Sequence, residues 1–301
     1  MPPRALFLFF ATVAIWGSTW FVVLFQLGEV DPLVSVIYRF GLAAALLLGW
    51  CKLKGLKLTF TLRDHLGLLL QGMFLFGFNY WLVYLAEQYI TSGLVAVIFS
   101  MLVFFNAINA RIILKRPFQL LVLMGGAMGL IGVGLLFAPE VANLSFSDDA
   151  LLGLSLAVLF TLCASFGNIA AAHNAASGQS ILAINAIGML YGTLVMTIIA
   201  LAMGKTFNFE ATPGYISSLL FLSLLGSIAA FGFYVELMKM VGPEKSAYVS
   251  MLMPVVALLI STLWEGYQWT PQAMAGVALI LAGNYLVMQP NRDKLQQLVG
   301  D

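Results

Sequence analysis

Arg39 puts a permanent cation inside an apolar stretch, about 9 Å from the stretch's nearer end at a helical rise of about 1.5 Å per residue. A guanidinium in that position has two uses. It can meet a carboxylate or phosphate with a planar fork of donors, or it can tie the carbonyls of a neighbouring helix. Glu236 is the acidic counterpart, and Lys239 follows three residues on, on the same helix face. The two can pair. A membrane carboxylate can also gain proton affinity by desolvation, and then carry a coupling proton or bind an ammonium group. Asn79, Tyr80, Tyr84, Asn168 and Tyr234 supply hydrogen bonds and aromatic faces without net charge, which suits an amphipathic small-molecule substrate and equally suits interhelical glue. Trp16 and Trp20, four apart, share one face and can line a cavity or pack in the bundle.

These residues can bind a solute and carry charge, but they are not arranged for bond making. His65 and His173 stand far apart, no Ser/His/Asp set gathers on one face, and no G-x-x-x-x-G-K phosphate loop occurs. The sequence therefore predicts no enzyme, no cofactor and no metal site, and it excludes ATP as the energy source. Cys51 and Cys163 read as packing residues within apolar runs.

The elements that must position these groups are long and apolar. With 61% hydrophobic and 9% charged residues, the chain lies far from the roughly 45–50% and 25% of a soluble domain. Lipid offers the backbone no partners, so each run must satisfy its own amides as a helix. We read ten spans at roughly 5–25, 33–51, 66–86, 91–112, 119–137, 150–171, 181–203, 214–238, 246–264 and 272–289. Turn formers and charges separate them, most weakly at Glu87 to Ile90. Net charge is +1 without a basic block, which gives a nucleic-acid role no support.

Offset by about 150 residues, the chain matches itself: Tyr84, Ser100, Met101 and Leu102 fall on Tyr234, Ser250, Met251 and Leu252. Gly125 and Gly132 fall on Gly276 and Gly283 at an offset of about 151. The sequence thus predicts two five-helix units, 1–146 and 147–301, and an odd number of spans per unit inverts the second relative to the first. With the N-terminus in the cytoplasm, most of the 14 lysines and arginines stay on that side, including Lys52, Lys54, Lys57, Arg63, Arg111 and Lys115. The other side gathers Glu29, Asp31, Glu87, Glu210 and Glu265 around Lys205. Both termini are expected inside, and the Asn143 sequon outside. The expected fold is an all-α membrane protein of alternating-access type, with the lipid bilayer as its solvent.

Several local patterns resemble the EamA-type families of the drug/metabolite transporter superfamily across nearly the whole chain. They are Trp16-Gly17-Ser18, Asp31-Pro32 followed by Arg39, Ser250 to Pro254 with Glu265 closing the ninth span, and Gly276 with Gly283 in the tenth. The resemblance implies a multi-pass secondary carrier of the bacterial inner membrane, exporting amino acids or other small metabolites, with protons as a candidate coupling ion. An uptake carrier, a sugar or phosphosugar carrier of the same fold, and a non-transporting assembly factor are the alternatives. The first half departs from the pattern: Phe104 stands where the second half has Pro254, and Lys115 where it has Glu265. Pro254 is therefore expected to act as a one-sided hinge or a static kink.

Overall fold

The computed structural model describes residues 2–115, 120–136, 148–241, 246 and 248–287, and all regular structure among them is helical. The helices are α1 (Pro3–Val23), α2 (Pro32–Leu53), α3 (Leu62–Ala86), α4 (Ser92–Ile113), α5 (Leu120–Leu136), α6 (Asp148–Ala175), α7 (Ile181–Ala202), α8 (Pro213–Met238), α9 (Tyr248–Trp264) and α10 (Pro271–Val287). Seven of them, α1 to α4 and α6 to α8, are long and apolar enough to cross a membrane, while α5, α9 and α10 have 17 residues each. Asn143 and the side chain of Lys239 lie outside the described residues.

The residues that interrupt hydropathy also start the helices. Pro stands in the first turn of α1, α2 and α8, where its missing N–H has no intrahelical partner to lose. Asp31 caps α2 by accepting from Leu33 N at 2.9 Å, Thr212 caps α8, and Thr61 and Asp64 form a capping box on α3. Gly55 (φ 65°) follows α2 and Gly204 (φ 67°) follows α7, each in the left-handed conformation that ends a helix at no Cβ cost.

Two helices take a π-helical path in mid-course, and α4 is interrupted by a turn at Ser100–Met101. α3 takes a π-helical path over Gly72–Phe78 and α8 over Phe221–Ala229, positions that correspond under the 150-residue offset. Wider π turns shift the backbone ladder and re-aim side chains, and they recur at functional sites.

Packing pairs α2 with α7, α4 with α9 and α5 with α10, while α1 lies against α8 and α9, and α6 against α3 and α4. Helices in lipid gain no hydrophobic drive from meeting, so close approach of small residues holds them. A Cβ on Gly132 would lie 2.6 Å from Gly276 O, and one on Gly283 would lie 2.5 Å from Gly125 O. Replacing every residue of the first contact by its repeat counterpart produces the second. Polar ties recur in the same sense. Gln71 bonds Asn185 and Asn174 among α3, α7 and α6, and Gln26 with Tyr215, Ser35 and Ser218 forms a second buried tie among α1, α8 and α2.

Candidate functional site

A cavity of about 260 Å³ opens where α1, α3, α4, α6, α8 and α9 converge, with Arg39 reaching it from α2. Its walls are mostly apolar, and Trp16, Trp20, Tyr80, Phe99, Phe231 and Tyr234 give it aromatic faces. Asn79, Asn168 and Ser250 add polar atoms from three helices. A second lobe of about 310 Å³ shares Trp20, Asn168, Tyr234 and Ser250 with the first, and extends to Ser100, Asn106 and Pro254.

The π segment of α8 anchors two side chains that line the cavity. Its Gly226 carbonyl accepts from Trp16 Nε1 at 3.0 Å, which fixes the indole edge-on to Phe231 and 5.4 Å from the Tyr234 ring. Ser227 accepts from Arg39 Nε at 3.4 Å, and Ser223 donates to the Arg39 carbonyl at 3.0 Å. The guanidinium stacks over Tyr80, 4.4 Å from the ring centroid, with Phe40 on its flank at 5.1 Å. Arg39 is only 1% exposed, and its Nη1 has no hydrogen-bond partner. A buried cation held by one hydroxyl and an aromatic face is under-satisfied. One donor remains open at Nη1.

Two more unsatisfied atoms accompany it. Asn79 donates to the Leu75 carbonyl at 3.2 Å, but its Oδ1 has no partner, and neither has Trp20 Nε1. Donor and acceptor capacity thus remains open on a wall that is otherwise aromatic, and Asn168 lines the wall opposite.

Of the residues singled out in the sequence, Trp16, Trp20, Asn79, Tyr80, Asn168, Tyr234 and Arg39 share this cavity, and Pro254, buried inside α9, borders its second lobe. Tyr84 does not line it. That side chain is fully buried behind Arg39, because its helix packs it inward where its repeat counterpart Tyr234 faces the opening. Arg39 holds a serine hydroxyl and an aromatic ring, whereas its expected structural partners are carbonyls. Glu236 has a partner on another helix, and the side chain of Lys239, its expected local partner, lies outside the described residues. Glu236 bonds Arg4 of α1 at 3.1 Å, a partner 232 residues away, in a pair open to solvent at the end of the bundle. An exposed pair of this kind contributes about 0–1 kcal/mol. Glu236→Gln is expected to shift stability by no more than that, as read by thermal unfolding in detergent, and a larger loss would mean that the pair holds α1 against α8.

The sequence reading misses Glu87, which sits buried just beyond α3, and it misses Ser223 and Ser227, which hold Arg39. Serines at that spacing in an apolar run were legible only as small packing residues.

The family model described as the EamA-like transporter family matches residues 3–138 and again 151–289. The uncharacterized inner membrane transporter YedA of Escherichia coli K12 is 29% identical over 92% of this chain and 90% of its own length. An uncharacterized transporter of Archaeoglobus fulgidus is 26% identical over 92% and 96%, and the Bacillus subtilis transporter YoaV 24% over 90% and 92%. A solved crystal structure only 13% identical superposes over 99% of both chains with a TM-score of 0.66, which is a likeness of fold. Matched along both halves by one family model, and built of apolar helices, this multi-pass inner-membrane protein belongs to the EamA-like transporter family.

Proposed function

We propose that the protein is a ten-span secondary carrier that exports a small amphipathic metabolite bearing a carboxylate, such as an amino acid, by alternating access between two inverted halves. The observation that carries this is the Arg39 guanidinium, buried at an aromatic cavity with Nη1 unpartnered. The self-exchanging contacts of Gly132 with Gly276 and Gly125 with Gly283 support the inverted repeat, since a two-fold axis in the membrane plane produces such reciprocity. The paired π segments and the paired helix-ending glycines support it from other positions. A lone arginine at the cavity favours a monoanionic group over a phosphosugar.

Efflux of radiolabelled amino acids from cells overexpressing the chain, against cells lacking it, tests the reading. Faster loss of one of them with the chain present is expected, and equal rates for all of them would overturn it. Asn168→Ala and Tyr234→Ala should each cut that flux about tenfold or more while membrane abundance stays the same. Equal losses of flux and abundance would make these side chains structural.

Orientation follows the positive residues. A phosphatase that is active only outside the cytoplasm should be active when fused after Lys205 and silent when fused after Lys54. Activity at Lys54 would overturn the placement of both termini inside.

A further inference from the structure

The cavity uses Arg39 but not the carboxylate behind it. Glu87 follows the last turn of α3, is 6% exposed, and neither of its carboxylate oxygens has a hydrogen-bond partner. The Thr91 hydroxyl four residues on and the Ser261 hydroxyl of α9 are buried and unpartnered as well. At this end of the bundle Val23, Val83, Ala86 and Val95 are buried.

Two charges face Glu87 among the described residues, Arg39 from α2 and Glu265 from the end of α9. Glu265 is occupied: it accepts from the Ser92 amide at 3.0 Å and from the Ser92 hydroxyl at the start of α4. Tyr84 stands between the signs, within reach of both Arg39 and Glu87, with Tyr215 of α8 beyond it. From α6, Gly153 packs on Tyr89 and Ile90, and Asp149 is exposed. Burial pushes the Glu87 carboxyl well above the usual carboxylate range, Glu265 adds to the rise and Arg39 opposes it. An ionised carboxylate buried without a donor is far costlier than the neutral acid, so the packed end holds Glu87 protonated.

We infer that Glu87 is a proton-binding site that governs closure of the cavity at the Glu265 end, a role that rests on the carrier reading above. Closing forms the O–H bond with a proton drawn from the compartment on that side. Opening admits water, the proton leaves to it, and the carboxylate is left ionised beside Arg39. The closed form binds the proton more tightly than the open one, so acid favours closure. Above the ordinary carboxylate value, each pH unit moves the closed-to-open ratio toward open by up to about tenfold, until the raised value of the closed form is passed. Arg39 links this site to the solute, because an anion at its Nη1 competes with ionised Glu87 for the same guanidinium.

The test reads shape, not flux. Spin labels at Gln88 and Gln268, both exposed at this end, are introduced into a chain with Cys51 and Cys163 replaced by serine and reconstituted in lipid nanodiscs. From pH 5 to pH 8 the ratio of short to long label separations should fall about tenfold or more in the parent. Glu87→Gln, which mimics the neutral acid and keeps its shape, should hold the short separation at every pH. Glu265→Gln should keep a titration with its midpoint moved to lower pH. A parent that does not respond, a Glu87→Gln chain that titrates like the parent, or a response lost only in Glu265→Gln would each overturn the assignment. No solute is added, so failure to find a transported metabolite would count against the carrier reading and leave this result standing.

Discussion

Arg39→Met should abolish transport of the solute, with a loss of about 100-fold or more, while the protein stays folded and melts no lower than the parent. The two effects separate because the guanidinium is poorly satisfied in the resting protein. Its Nη1 has no partner, its Nε bond to Ser227 is long at 3.4 Å, and the Tyr80 and Phe40 rings cover its faces. Replacing a buried, incompletely compensated charge by an apolar side chain of similar volume is often neutral, or stabilising by about 1–4 kcal/mol. An anionic solute, in contrast, loses a charge-assisted hydrogen bond in a desolvated site, about 1.5–3 kcal/mol for the bond and more for the uncompensated anion. Arg39→Lys tests the same point differently. An ammonium keeps the charge but not the planar stack on Tyr80, so about a tenfold loss or greater is expected. Flux in proteoliposomes and thermal unfolding in detergent are the two measurements. A parallel fall in both would make Arg39 a structural tie and remove the anion site.

Gly276→Val should prevent the chain from accumulating in the membrane. A Cβ at Gly276 would lie 2.5 Å from Gly132 O and 3.0 Å from Leu136 N, and both are backbone atoms that cannot swing aside. Overpacking costs about 1–3 kcal/mol where side chains can adjust, and more is expected where two backbones must part. α5 and α10 hold each other through this seam more than through any other neighbour, so separating them leaves both with little to pack on. Gly134 supplies the control on the facing helix α5, with open space around its Cβ direction, and Gly134→Val should accumulate normally. Equal abundance of the two variants would show that the seam is not what holds α5 to α10.

Much of this was legible in the sequence, because lipid leaves few ways to place a polar atom. Asn79, Asn168 and Arg39 interrupt long apolar runs, and helices that cannot hide such groups in water turn them toward a shared interior. Helix starts were legible too, since Pro32, Pro213 and the Thr61–Asp64 box act within a few residues of themselves. What depended on distant neighbours was not. The spacing of Glu236 and Lys239 predicts a local pair, whose lysine side chain lies outside the described residues, while nothing in that spacing announces the contact that crosses from α8 to the start of α1. Tyr84 and Tyr234 are equivalent in the repeat but not in surroundings, so the repeat predicts a matched pair where one is buried and one faces the cavity. Glu87 falls in a short break between helices, where a glutamate reads as a solvated turn residue, and only the packing of α6 and α9 around it removes the solvent. The π segments left no mark on hydropathy, because Gly72–Phe78 is as apolar as a regular helix.

The mismatch between the halves has a thermodynamic meaning. In an inverted duplicate with identical halves, the two end states map onto each other under exchange of the repeats, so they are degenerate in internal energy and the empty protein rests equally in both. This chain is not such a duplicate. Glu265 clamps the first turn of α4 through Ser92, while its counterpart Lys115 ends the same helix in a left-handed turn, and Pro254 removes a backbone donor from α9 where Phe104 keeps one in α4. Every contact without a mirror image lifts the degeneracy, and a difference of about 1.4 kcal/mol would populate one end state tenfold over the other. On the alternating-access reading proposed above, swapping these few residues between halves, Phe104 for Pro254 and Lys115 for Glu265, would invert that bias, and with it the side on which the empty protein waits.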